Sequence, residues 1–205
     1  MTLFELSIKG GPIMIVLFIL SIISLYIIIE RFIKLSRVKR QDKRIIFELE
    51  ESFATTDLTN IEKVCSIMIH IPLAEIIYEA IQSLKTGNEN INDFVNSAVD
   101  TQINSLEKNL GFLSTLAAVS PLIGFLGTVT GMIKVFMKIQ NTGGGVDITL
   151  LAGGIWEALI TTVAGLIIGI TSLIFYNILV DNVERISVQM NKTTQKLLIS
   201  TNKEK

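Results

Sequence analysis

The sequence predicts an all-α membrane protein with three transmembrane helices and long cytoplasmic helical extensions. Three observations lead there. Apolar residues make up 49% of the 205 and charged residues only 18%, where soluble domains carry about 25% charge. The apolar residues fall into three long runs that a soluble core of this size does not need. The basic residues, finally, gather on one side of those runs.

The first run, Ile13 to Ile29, holds 17 residues without a charge. At about 1.5 Å per helical residue it covers about 25 Å, enough to cross a bilayer with anchored ends. A cleaved signal peptide would carry its basic flank before the run and a small-residue cleavage site after it. Here only Lys9 precedes the run, whereas Glu30-Arg31, Lys34, Arg37, Lys39, Arg40, Lys43 and Arg44 follow, with no A-x-A pattern. A retained anchor with its N-terminus outside is the expectation.

The second run, Leu110 to Ile133, has 24 uncharged residues and ends at Lys134. The third, Ile148 to Val180, has 33 residues and one charge, Glu157. A helix that long exceeds the hydrocarbon thickness and is expected to protrude. The domains so divided are an N-terminal outer segment with the first span (1–30), a cytoplasmic helical region (31–109), the second span (110–137), a short periplasmic loop (138–149), the third span (150–180) and a cytoplasmic C-terminal helix or tail (181–205). Residues 30–109 and the tail after 180 hold 15 of the 18 Lys and Arg, as the positive-inside rule requires of the cytoplasmic side.

Between the spans the pattern is helical and amphipathic. Thr59-Asn60-Ile61-Glu62 has capping-box spacing. Pro72 opens a helix from Leu73 to Leu84 that Lys85-Thr86-Gly87-Asn88 ends. From Asn92 the stripe Val95, Val99, Ile103, Leu106 and Leu110 runs toward the second span, which predicts one continuous helix. In the tail, Ile178, Val183, Ile186, Met190 and Leu197 repeat the theme. Asn141-Thr142-Gly143-Gly144-Gly145 reads as a flexible outer loop.

The spans differ in character. The first is Ile, Leu, Val and Phe nearly throughout, suited to lipid. In the second, Ala117, Pro121, Gly124, Thr128 and Gly131 share a stripe; in the third, Gly154, Ala158, Thr162, Gly165 and Gly169 do, with Thr161 beside them. Small residues at helical spacing let backbones approach closely, and hydroxyls bridge helices. Packing accounts for most of the glycines, less well for the hydroxyls, and least for Glu157. Thr128 and Glu157 lie at similar distances from the outer ends of antiparallel spans, so comparable depth is expected. A carboxyl group there faces protein or water. Three roles stay open to it: structural hydrogen-bonder, wall of an ion pathway, or proton carrier. With no second acid and no buried base nearby, any titrating group is expected from a partner protein.

These residues carry a resemblance. Ser120-Pro121-Leu122-Ile123-Gly124-Phe125-Leu126-Gly127-Thr128-Val129-Thr130-Gly131-Met132-Ile133 resembles the second-span signature of the MotA/TolQ/ExbB proton-channel family. Trp156-Glu157-Ala158-Leu159-Ile160-Thr161-Thr162-Val163-Ala164-Gly165-Leu166 is similar to its third-span signature. Glu30-Arg31 at the close of the first span is typical of the family, and Lys9-Gly10-Gly11-Pro12-Ile13-Met14 is similar to ExbB proteins. Three spans, rather than the four of flagellar MotA-type stators, favour the ExbB/TolQ branch. The resemblance implies a stator-type subunit of an inner-membrane motor driven by the proton-motive force. It implies a homopentamer around a dimer of single-span ExbD/TolR-like subunits with an intramembrane aspartate, working on outer-membrane processes through a TonB- or TolA-like protein. It assigns Thr128, Glu157 and Thr162 to the ion pathway, where Thr161 adds a hydroxyl that serves either packing or ion preference, with Pro121, Gly124, Gly131, Gly165 and Gly169 packing at the pore. Thr161 stands where the family often has alanine. One proton crossing about 100 mV yields about 2.3 kcal/mol, enough to bias small rotary steps. A passive scaffold or channel is the alternative.

Other classes find little support. Cys65 and His70 are single and read as packed or surface residues; no metal set or cofactor site is expected. Gly143–Gly145 lacks the Lys-Ser/Thr of a phosphate loop. The basic stretch from Arg37 to Arg44 follows a span, where topology and anionic lipid explain it without nucleic acid. No nucleophile–base arrangement is legible, so no enzyme activity is expected.

Overall fold

A computed structural model describes residues 11–55, 57–86, 90–141 and 148–202. Among these residues all regular structure is helical: α1 (Gly11–Thr55), α2 (Leu58–Ile67), α3 (Pro72–Lys85), α4 (Ile91–Glu107), α5 (Leu110–Asn141) and α6 (Ile148–Asn202). Three helices, containing the three apolar runs, are long and apolar enough to cross a membrane. The chain divides into two compact units, one of residues 1–30 with 109–178, the other of 31–108 with 179–205. The expected loop at Thr142–Gly145 and the pair Lys9-Gly10 lie outside the described residues.

The second unit has an ordinary apolar core. One face of α1 supplies Leu35, Val38, Ile45 and Leu49, and α6 supplies Leu179, Val183, Ile186, Met190 and Leu197, all buried. Ile178 belongs to the expected tail stripe but is exposed. Helix α3 is the most enclosed element, with Leu73, Ala74, Ile76, Ile77, Ala80 and Ile81 buried; it packs on both α2 and α4. Pro72 sits in its first turn, where the missing N–H would have no intrahelical partner anyway. Cys65 is buried in the same core, and burial pushes its thiol up to about 12.

Two local expectations are corrected. The start of α2 is capped by Asp57, whose Oδ1 accepts from the Asn60 amide at 3.1 Å and the Thr59 hydroxyl at 2.5 Å. The Thr59 capping box does not form because Thr59 already lies inside the helix, and the Asp57 carboxylate two residues earlier satisfies the free amide. Those two hydrogen bonds hold the Asp57 carboxyl below its usual range. The stripe from Asn92 does not continue unbroken into α5. Helix α4 ends at Glu107, and Asn109 takes a left-handed φ of 67°, which asparagine tolerates better than most residues. Val95, Val99, Leu106 and Leu110 are nonetheless buried as the stripe requires.

The end of α4 is held by cations. Buried Arg31 donates from Nη1 to the Ser105 and Leu106 carbonyls at 3.3 and 3.4 Å, and Lys34 donates to the Ser105 carbonyl at 3.3 Å. The last carbonyls of a helix lack intrahelical donors and carry its negative pole, so positive side chains are favoured there. Elsewhere in the unit, Glu62 of α2 accepts from Lys85 at 2.5 Å and Gln82 at 2.7 Å on α3. The Lys85 hydrogen bond is the first reason that the Glu62 carboxyl titrates below its usual range.

Asp42 is the exception in this core. It is 1% exposed, and neither carboxylate oxygen has a hydrogen-bond partner. Burial pushes its carboxyl up to about 7 from 3.8. The unfolded chain therefore releases this proton near its ordinary value, while the folded chain keeps it until near neutrality. Folding stability falls as pH rises through that window, by a total on the order of 4 kcal/mol, and levels off above it. Asp42→Asn should flatten the slope and leave the protein more stable at about pH 8 by roughly 2–4 kcal/mol. Thermal unfolding in detergent across that pH range checks both. An unchanged slope would show that Asp42 is not the titrating group.

Candidate ion pathway between two membrane helices

The site is built where α5 meets α6 in the first unit, and glycine makes the meeting possible. An ideal Cβ on Gly124 would lie 2.7 Å from the Thr161 carbonyl and 3.1 Å from the Cα atoms of Thr162 and Gly165. One on Gly165 would lie 2.5 Å from the Ser120 carbonyl and 2.9 Å from the Gly124 Cα. These neighbours are backbone, so the two helix backbones touch here without intervening side chains. Gly131 rests on the Ala158 methyl, Gly127 on the side chain of Thr161, and Gly154 on Val135. At the other end an ideal Cβ on Gly169 would meet the Pro121 ring and lie 2.9 Å from the Ala117 carbonyl. Pro121 has no N–H to give that carbonyl, so the helix lacks a hydrogen bond where α6 comes close.

Hydroxyls line this seam. Thr162 donates to the Gly124 carbonyl at 3.1 Å, across the two helices. Thr161 donates to the Ala158 carbonyl of its own helix at 2.7 Å and approaches the Gly124 carbonyl at 3.3 Å. Thr128 donates within α5 to the Phe125 carbonyl at 2.7 Å. A hydroxyl that donates once still has lone pairs to accept with. Thr161 is only 1% exposed, whereas Thr128 and Thr162 are half-buried. The additional hydroxyl at position 161 thus fills the space over Gly127 inside the helix interface, and the two threonines with surface left are Thr128 and Thr162.

The expected stripe residues Ala117, Pro121, Gly124 and Gly131 do meet Ala158, Thr162, Gly165 and Gly169; the register adds Gly127 and Thr161 to the contact and sets Thr128 beside it. On α5 the contact line passes through Ser120, Gly124, Gly127 and Gly131, with Thr128 beside it; on α6 it passes through Thr161, with Thr162 beside it. The signal for Gly127 was present as Gly124-x-x-Gly127-x-x-x-Gly131, but a threonine next to a glycine satisfies the same spacing. Gly131 opposite Ala158 and Gly127 opposite Thr161 also place Thr128 about a turn away from Glu157, so the expected common depth does not hold. What Glu157 meets is Lys134 of α5, whose Nζ lies 3.3 Å from Oε1. Lys134 had looked like the end of a run, because a count of uncharged residues stops at the first charge. A second polar link escaped the sequence: Ser24 of α1 and Ser172 of α6, both buried, hydrogen-bond at 2.6 Å.

The fold and seam define a polytopic helical membrane protein with polar groups enclosed between membrane-length helices. Residues 69–192 match the MotA/TolQ/ExbB proton channel family, and the chain belongs to that family. It is 30% identical over 174 residues to the putative biopolymer transport protein ExbB-like 1 of a Synechocystis strain, covering 84% of this chain and 68% of the relative. It is 27% identical over 189 residues to the biopolymer transport protein ExbB of Neisseria meningitidis, covering 83% and 84%. Over 101 residues it is 38% identical to the Tol-Pal system protein TolQ of Haemophilus influenzae, covering 49% and 41%.

Proposed function

We propose that this chain is the stator-type subunit of an inner-membrane complex driven by the proton-motive force, on the ExbB/TolQ plan. In this reading α5 and α6 of five copies surround a pore that holds two ExbD/TolR-like single-span subunits. The complex energises outer-membrane transport or maintenance through a TonB- or TolA-like protein. The N-terminus lies in the periplasm, while residues 31–109 and 181–205 lie in the cytoplasm beside the anionic lipid surface. No nucleic acid, cofactor or catalysed covalent step is involved.

The observation that carries this reading is the pair Thr128 and Thr162. Both keep exposed surface and free acceptor capacity beside a seam whose backbones touch at Gly124 and Gly165. Helix α5 contains no acidic residue and the third apolar run contains only Glu157, so a transferred proton needs an acid from outside the chain. A partner helix bearing one intramembrane aspartate meets that need. Co-expression with such a partner, followed by native mass measurement of the purified complex, tests the proposal. Five copies of this chain with two of the partner are expected; a bare monomer, or an assembly that sheds the partner, would refute it.

One observation favours the second reading, a passive scaffold or channel. The three seam threonines all donate to backbone carbonyls, as purely structural hydroxyls would. Proton flux that depends on the partner's aspartate separates the two readings.

A further inference from the structure

Three helices of the first unit converge on Glu157. Lys134 reaches it from α5, with Nζ 3.3 Å from Oε1. The start of α1 reaches it too: an ideal Cβ on Gly11 would fall 2.6 Å from the same oxygen and 3.8 Å from the lysine nitrogen. Gly11 has a φ of +65°, so glycine suits position 11 in conformation as well as in space. The first turn of α1 contains no acid of its own. A helix start is a positive pole, and the Glu157 carboxylate lies beside this one.

No other charge competes for this carboxylate from the same helices. Helix α1 has none before Glu30, and α6 has none between Glu157 and Asp181. The only other charged side chain of α5 is Lys138, about one turn beyond Lys134. The hydroxyls of Thr128, Thr161 and Thr162 donate to carbonyls rather than to Glu157.

We infer that Lys134, about two turns before the end of α5, is a positioning residue that holds Glu157 of α6 as a fixed counter-charge. The ion pair ties α5 to α6 beside the start of α1. Of the roles open to Glu157, this one leaves proton movement to the hydroxyl pair and the partner's acid; in that consequence it rests on the function proposed above.

A double-mutant cycle on the full-length protein in lipid, read by thermal unfolding, tests the inference, because paired side chains lose their interaction only once. K134M and E157Q should each lower the unfolding temperature, K134M/E157Q should lower it by less than the sum of the two, and K134R should behave as the unsubstituted protein. Additive losses, or K134M unfolding with the unsubstituted protein, would overturn the inference. Should K134M fail to insert, K134Q takes its place in the cycle. Loss of the motor assignment through the partner experiment would leave the unfolding result unchanged, so the two failures are told apart.

Discussion

Gly165→Val is expected to destroy the α5–α6 seam, and with it assembly. The first atom added to position 165 would sit 2.5 Å from the Ser120 carbonyl and 2.9 Å from the Gly124 Cα. Backbone cannot swing aside as a side-chain tip can, so the helices must separate. Overpacking of this kind costs about 3 kcal/mol or more. Because lipid is as apolar as the side chains themselves, lost van der Waals contact between membrane helices is not replaced by a hydrophobic drive. Gly165→Ala should already be harmful, since its Cβ alone meets the obstruction. Gly111 and Gly153 provide the controls: nothing lies within 4 Å of a Cβ at either position. Alanine at Gly153 should be neutral, or stabilising by roughly 0.5–1 kcal/mol, because a helical glycine gives up more backbone freedom. Native mass measurement and thermal unfolding of the four variants would read the contrast. Equal behaviour at positions 153 and 165 would contradict the seam.

Thr162→Val is expected to abolish energy-coupled activity, by at least about tenfold, while leaving the oligomer intact. The two side chains have nearly the same shape, so packing changes little. The hydrogen bond of 3.1 Å to the Gly124 carbonyl is lost, at a cost to stability of about 1 kcal/mol. That is too little to unfold the protein. What disappears is the acceptor oxygen on the half-buried side of the seam. Thr161→Val offers the comparison, since that hydroxyl is enclosed between the helices and should matter less for activity than Thr162. Proton flux in reconstituted vesicles, together with the oligomeric mass, would check both. Full activity in Thr162→Val would remove this hydroxyl from the pathway, and equal losses at 161 and 162 would point to packing instead.

Several features were legible without coordinates because they depend on neighbours in the chain. The apolar runs announced the three membrane-length helices, since a backbone in lipid must satisfy its hydrogen bonds internally and helices do so locally. Pro72 opened α3 as its ring geometry demands. The buried stripe of α4 followed from three- and four-residue spacing, although the left-handed turn at Asn109 that ends it was overlooked. Asn109 looked polar and ordinary because one residue in the left-handed region leaves no periodic trace.

By itself, then, the sequence determined the class of the protein: all-helical, three membrane-length apolar segments, and two small-residue faces bearing hydroxyls and one carboxylate. Only the tertiary structure decided the register between those faces. It put Gly127 and Thr161 in the seam, left Thr128 and Thr162 beside it, and paired Glu157 with Lys134. The physical reason is that helical periodicity limits which side chains share a face but not which residue of the next helix they meet. Residues 23 apart in the chain become partners only when two helices slide to the one position where their glycines coincide.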